Sequence, residues 1–214
     1  MTNKVKIAID AMGGDKSPKK IIEGISISLK SNRDNSFYLY GNQNQIEKEI
    51  SNFNEVRKFC KIINTVDVVS DKESPLAAAK KGKETSMWKA IESQKNNMTD
   101  ISLSAGNTGA LLVISRLILN TIDGINKPAL AGFWPNKNSI NIVLDLGANI
   151  ECDEKNLFDF ACMGSALYKS LFNIENPKIA LLNVGLEETK GNEVLKKTFA
   201  NIKKNRIRNF DFSG

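Results

Sequence analysis

Four glycine-bearing segments, each placed where a strand should end, constrain this chain more than any other feature. They read I-D-A-M-G-G-D (residues 9–15), S-A-G-N-T-G-A (104–110), L-D-L-G-A-N (144–149) and N-V-G-L-E-E-T-K-G-N (183–192). Three follow an apolar run directly, at 5–9, 140–144 and 179–184, and the second follows the short run 101–103. In open parallel α/β sheets ligands bind outside the carboxyl ends of the strands. Glycine there lets backbone N–H groups come close to a ligand, and a following helix directs partial positive charge to the same place. The repeated pattern predicts one anion cleft formed by Gly13-Gly14, the turn 104–108 and Lys190.

The segments between these loops supply alternating strands and helices. Ser17-Pro18 predicts a helix with Ser17 as N-cap and Pro18 first, with Ile21, Ile22, Ile25 and Leu29 on its apolar face. Residues 37–41 read as a strand, 43–50 as a short polar helix, and Ile62-Ile63 and 66–69 as extended pieces. Ser74-Pro75 repeats the capped start, and a helix should cover 86–94. A strand at 101–104 leads to a largely buried helix from near Asn107. Strands at 129–134 and 140–144 are joined by a turn through Pro135, an amphipathic helix covers 157–172, a strand 179–184 and a basic helix 192–204. Strands alternating with helices predict an α/β fold with a mostly parallel sheet. Right-handed crossovers would set helices on both faces. With no convincing linker, residues 1–214 read as one domain whose glycine-ended strands are central.

Composition narrows the chemistry. The chain has no histidine, which excludes an imidazole base, a Ser-His dyad and a His-ligated metal. Cys60, Cys152 and Cys162 are widely spaced and read as reduced thiols of a cytosolic protein, with no zinc or disulfide pattern. Cys152 lies between Glu151 and Asp153, which should raise its pKa and disfavour a nucleophilic role. No apolar run is long enough to span a membrane, and the start, which leads straight into the first strand, reads as one without a signal peptide. The net charge of +6 favours anionic partners such as phosphorylated ligands, acidic proteins or a lipid surface, unless it reflects a Lys-, Asn- and Ile-rich codon usage. The aromatic residues are not interleaved with basic ones as a nucleic-acid groove requires.

Each glycine segment has a functional and a structural reading. Asp10-Ala11-Met12-Gly13-Gly14-Asp15 is neither G-x-G-x-x-G nor a Walker loop. Its glycines either present amides to phosphate or serve a tight βα turn. In the second segment Ser104, Gly106, Asn107 and Thr108 offer more hydrogen-bonding groups at a helix N-terminus than one cap needs. Asp145 and Asn149 either orient a ligand or form Asx turns. Glu187 and Lys190 lie in a mixed-charge loop, where Lys190 is a candidate anion ligand.

Together these segments resemble the bacterial phosphate acyltransferases of the PlsX family, from Ile7 to the end of the chain. The resemblance is carried by I-A-I-D-A-M-G-G-D, K-K-G-K-E-T-S-M (80–87), S-A-G-N-T-G-A-L, L-D-L-G-A-N with F-A-C-M-G (160–164), and N-V-G-L-E-E-T-K-G-N. It implies a Rossmann-like α/β/α sandwich related to phosphotransacetylases and isocitrate-dehydrogenase-like enzymes. It implies an acyltransferase of phospholipid synthesis, in which inorganic phosphate attacks the thioester of a fatty acyl group on acyl carrier protein, giving acyl phosphate and free carrier protein. It further implies a homodimer without organic cofactor or metal, cytoplasmic, with peripheral contact to membrane and to a downstream glycerol-phosphate acyltransferase. Asn107, Thr108 and Lys190 suit the catalytic tasks of anion binding and oxyanion stabilisation. Asp10, Gly13, Gly14, Asp15, Ser104, Gly106, Asp145, Asn149 and Glu187 suit substrate binding. In one departure, Leu186 precedes Glu187-Glu188 where the family places consecutive acidic residues. Family members are also longer, so the resemblance implies a chain lacking their C-terminal part, with a sheet edge and apolar helix faces left exposed. Two other readings stay open: a phosphotransacetylase-like enzyme acting on acyl-coenzyme A, and an inactive remnant that only docks.

Overall fold

A computed structural model describes residues 4–185, 190–205 and 210–212. The chain divides into two compact units, residues 1–120 and 121–214.

The first unit is built on a fully parallel sheet. Strand β1 (Lys6–Asp10) is central, flanked by β2 (Ser36–Gly41) and β4 (Ile101–Ser104), with β3 (Cys60–Asn64) outside β2. Side chains alternate across a strand, and the two faces recruit different helices. Ile7, Ile9, Phe37, Leu39, Cys60 and Ile62 face α1 (Lys19–Ser31) and α2 (Gln43–Ile50). Helix α1 contributes Ile22, Ile25 and Leu29, and α2 contributes Ile46 and Ile50. On the other face Ala8, Tyr38, Tyr40 and Ile63 meet Ala90 of α5 (Ser86–Lys95). Helix α6 (Thr108–Leu119) packs with α5 and α4 (Pro75–Lys81) through Ala110, Ile114, Met87, Ile91 and Ala78. One further helix, α3 (Asn54–Arg57), precedes β3.

Helix starts follow local chemistry. The side chains of Asn42, Ser74, Thr85 and Asn107 accept from the amides of Gln45, Ala77, Trp88 and Ala110. Ser17 does not cap: α1 starts at Lys19, and the Ser17 hydroxyl instead donates back to the Gly13 carbonyl across the β1–α1 turn. Residues 66–69 form no strand and contribute only a bridge between Asp67 and Thr85. Strand β4 is an edge, with Ile101 and Leu103 about half exposed, so it is not the central strand the sequence predicts. Helix α6 buries Ala110 and Ile114 fully but leaves Leu117 exposed.

The second unit begins with an antiparallel hairpin, β5 (Ala131–Pro135) and β6 (Ile140–Leu144), turned through residues 136–139. Asn136 Oδ1 accepts from the amides of Asn138 and Ser139 and closes that turn. Helix α7 (Glu154–Phe172) starts with a capping box between Asp153 and Asn156. Its Ala161 packs with Ile202 of α8 (Glu193–Asn205) and with Phe210, flanked by Phe158 and Cys162. Strand β7 spans only Lys178–Ile179, paired with β8 (Asp211–Phe212). The predicted strand 179–184 ends there, and Leu182 and Val184 are exposed.

Leu39 is fully buried between the first sheet and its helices. Leu39→Ala is therefore expected to destabilise the first unit by about 2–5 kcal/mol. Gly24, inside α1 with open space at its Cβ position, gives the opposite result: Gly24→Ala is expected to stabilise by about 0.5–1 kcal/mol. Denaturant titration of both variants checks the pair. Burial also pushes the Cys60 thiol up to about 12. The native state then keeps a proton that the unfolded chain loses near the ordinary thiol range. Cys60 contributes stability that is complete below that range and is lost as pH rises toward 12. Cys60→Ala should flatten this part of the stability–pH curve, measured by urea unfolding at several alkaline pH values.

Candidate functional site

The parallel register sets Asp10 directly beside Ser104 at the carboxyl ends of β1 and β4. Both side chains point to the α5 face, as Ala8 and Ser102 do by the alternation of the strands. Asp10 is 1% exposed. Its Oδ2 accepts from Ser104 Oγ at 2.7 Å and its Oδ1 from Ser86 Oγ at 2.6 Å. The Met12 amide adds a longer bond to Oδ1 at 3.3 Å. Ser104 Oγ in turn accepts from the Gly106 amide at 3.1 Å. One carboxylate thus ties together two strand ends and the first turn of α5. In this structure the Asp10 carboxylate is buried and faces Ser86, Ser104 and the Met12 amide.

The first two glycine segments sit face to face. A Cβ on Gly13 would lie 2.6 Å from Asp10 Oδ2, 2.8 Å from Ser104 Oγ and 2.9 Å from the Gly106 nitrogen. Gly14 has φ +82°, and a Cβ there would meet the Ala105 carbonyl at 2.5 Å. These glycines are required for the close approach of the two loops. Asp15, the last residue of the segment, is exposed on the turn.

Asn107 is fully employed by the fold. Its Oδ1 caps α6 through the Ala110 amide at 3.0 Å. Its Nδ2 donates to the Glu73 carbonyl at 2.9 Å, with the Asp71 and Ser70 carbonyls at 3.3 and 3.4 Å. The side chain therefore fastens the loop 70–73 to the start of α6. Thr108, the first residue of that helix, is exposed beside it.

An apolar groove of about 290 Å³ runs along the α1 face of the same sheet. Ile9, Ile21, Ile25, Phe37 and Leu103 line it, and it reaches the strand end at Ser104 and Ala105.

The remaining predicted residues belong to the second unit. Asp145 Oδ1 accepts from the amides of Leu130 and Ala148, and Oδ2 from the backbone and side-chain amides of Asn149. Asn149 Nδ2 also donates to the Pro128 carbonyl at 2.9 Å. This is the Asx-turn reading of that segment. Lys190 is exposed, and its carbonyl accepts from Asn183 Nδ2 at 3.2 Å. Glu187 lies outside the described residues.

None of the three thiols is prepared as a nucleophile. Burial pushes each one up, and Cys152 is raised further by Asp145 and Asp153 against an opposing pull from Lys127. Among the described residues no cluster of three or more Cys, Asp or Glu could hold a metal ion, and no helix is long and apolar enough to cross a membrane.

Ser86 and the 70–73 carbonyls were not predicted as parts of the site. Ser86 reads in the sequence as a helix start; its position in K-K-G-K-E-T-S-M was the available signal. The carbonyls carry no sequence signal at all.

Three comparisons place the chain among known proteins. A profile of the fatty acid synthesis protein family matches residues 5–214. The phosphate acyltransferase of Pelagibacter ubique is 51% identical over 214 residues, covering 100% of this chain and 64% of its own length. A phosphate acyltransferase of Rhodopseudomonas palustris is 41% identical, covering 100% of this chain and 61% of its own. The chain spans about three fifths of the length of these curated relatives. Among solved structures, a phosphotransacetylase from Streptococcus pyogenes aligns with TM-score 0.71 at 16% identity, over 100% of this chain and 68% of that one. The EutD phosphotransacetylase from Staphylococcus aureus aligns with TM-score 0.66 at 16% identity, over 99% and 68%. These two likenesses carry the α/β fold with its mostly parallel sheet. On the match over nearly its whole length, the chain belongs to the fatty acid synthesis protein family, that of the bacterial phosphate acyltransferase PlsX.

Proposed function

We propose that this protein serves acyl transfer to inorganic phosphate, in phospholipid synthesis. A phosphate oxygen attacks the carbonyl carbon of a fatty acyl thioester. A C–O bond to phosphate forms, the C–S bond breaks, and the thiolate leaves to take a proton. The observation that carries this reading is the pair of glycine loops locked over the Asp10–Ser104 bond at the N-terminus of α6. That arrangement offers backbone amides and a helix end to an anion. The names of the relatives, phosphate acyltransferase, support the same chemistry.

In this reading the acyl donor is acyl carrier protein, whose acidic character the net charge of +6 complements. The apolar groove ending at Ser104 and Ala105 suits the hydrocarbon of a fatty acyl group. The reading extends to a cytoplasmic homodimer in peripheral contact with membrane and with a glycerol-phosphate acyltransferase that consumes the product. Coenzyme A is the competing thioester carrier.

The test is phosphate-dependent thiol release, measured with acyl carrier protein thioester and with acyl-coenzyme A. It is run on this chain and on one extended by the C-terminal part of the Pelagibacter ubique relative. Faster release from the carrier-protein thioester by the extended chain is expected. Release from coenzyme A alone would move the protein to the phosphotransacetylase class, and no release from either by the extended chain would leave only a docking role.

Gly13→Ala gives a local check. The added methyl has no room between Asp10, Ser104 and Gly106. It is expected to cost about 1–3 kcal/mol of stability. Thiol release by the extended chain should fall at least about tenfold, since small displacements of positioning groups are costly in rate. Near-normal release from this variant would show that the loop packing does not shape the phosphate site.

A further inference from the structure

The apolar groove on the α1 face of the first sheet has a direction. Helix α1 links the parallel strands β1 and β2, so it runs back from their carboxyl ends toward their amino ends. Lys20, in the first turn of the helix, therefore stands at the strand-end mouth of the groove. Gly24 and Ser28 follow it at four-residue steps along the same wall. At the helical rise these three positions span about 12 Å. The floor is hydrocarbon, from Ile9 and Phe37, and Leu103 of the edge strand lies beside Ile9, 46% exposed.

Gly24 keeps this groove open. A Cβ there would meet nothing within 4 Å, so no packing demands a glycine, and a glycine inside a helix costs stability. A large side chain at this position would stand in the groove midway along it. Lys20 is exposed, and among the described residues no carboxylate forms an ion pair with it. One cationic end followed by hydrocarbon complements a single-chain amphiphile with an anionic head. A peptide in the same place would set its amides against hydrocarbon without partners.

We propose that this groove measures the acyl chain, with the tail running from Lys20 toward Ser28 and Gly24 as the residue that determines the chain length accepted. The inference rests on the acyl-transfer reading of the protein and adds the residue that selects among acyl groups.

The experiment is isothermal titration of this chain with n-alkyl phosphates from hexyl to tetradecyl, each below its micelle concentration. Affinity should rise about two- to fourfold with each added CH₂. It should level off near decyl, where an extended tail fills the groove from Lys20 to Ser28. Ser28→Leu should move the levelling to shorter chains, and Gly24→Leu, halfway along, to shorter chains still. Leucine is a good helix former and the space at Gly24 is open, so helix content by circular dichroism should be unchanged in that variant. Lys20→Met keeps the aliphatic stem and should weaken every alkyl phosphate about two- to fivefold without moving the levelling point. A merely structural role for Gly24 would leave the chain-length profile where it was. No binding, an affinity that climbs through tetradecyl, or an unchanged profile in folded Gly24→Leu overturns the inference, while thiol release still decides the acyl-transfer reading. Loss of binding when the chain is extended by the C-terminal part of the Pelagibacter ubique relative also overturns it, by giving the groove to that segment.

Discussion

The bond between Asp10 and Ser104 is the constraint on which the first unit's functional end depends. It exists because β1 and β4 are parallel and in a register that pairs these two residues at their last positions. A slip of one residue in either strand would turn that strand's side chain to the α1 face and part the pair. The apolar alternation prevents that slip. Ile7 and Ile9 must meet Ile22, Ile25 and Leu39 on one side, which leaves Ala8 and Asp10 for the side of α5. The hydrophobic core of the first unit thereby aims a carboxylate at Ser86 and Ser104.

The glycines follow from the same geometry. Once Asp10 draws Ser104 close, the loop after β1 and the loop after β4 have nowhere to pass except against each other. Gly13 and Gly106 remove the atoms that would collide, and Gly14 takes a left-handed turn beneath the Ala105 carbonyl. Asn107 then anchors the outer side, joining α6 to the 70–73 loop. Donors and acceptors are consumed in building this shape. The groups left for a ligand are set by that consumption and not by the residue types alone.

Much of this was legible in the sequence, because strand ends followed by glycine and helix caps are local signals. The strands at 37–41, 101–104 and 140–144, and the caps at Ser74 and Asn107, depend on neighbours close in the chain. What was not legible depends on distant partners. Ser17 looks like a cap, but the Gly13 carbonyl claims its hydroxyl. The apolar run 179–184 looks like a strand, yet only Lys178–Ile179 finds a partner, and strand character needs a neighbour to pair with. Asp10 reads as a ligand group until burial and two serine hydroxyls 76 and 94 residues away account for both its oxygens. The resemblance to the PlsX phosphate acyltransferases lies in the ordered set of motifs, not in any one of these roles.

The chemistry proposed here asks little of the protein as a reactant. There is no imidazole in the chain, and burial pushes all three thiols up from the ordinary thiol range. A covalent acyl-enzyme route would need one of these groups to be activated, and the environment of each works the other way. Phosphate needs no such activation, because near neutral pH it is an anion with oxygens ready to attack. The work left to the chain is to hold that anion in one orientation beside a thioester carbonyl. In the proposed reading, glycine loops at a helix N-terminus beside an apolar groove are suited to that work, and the loops are held together from beneath by the buried Asp10.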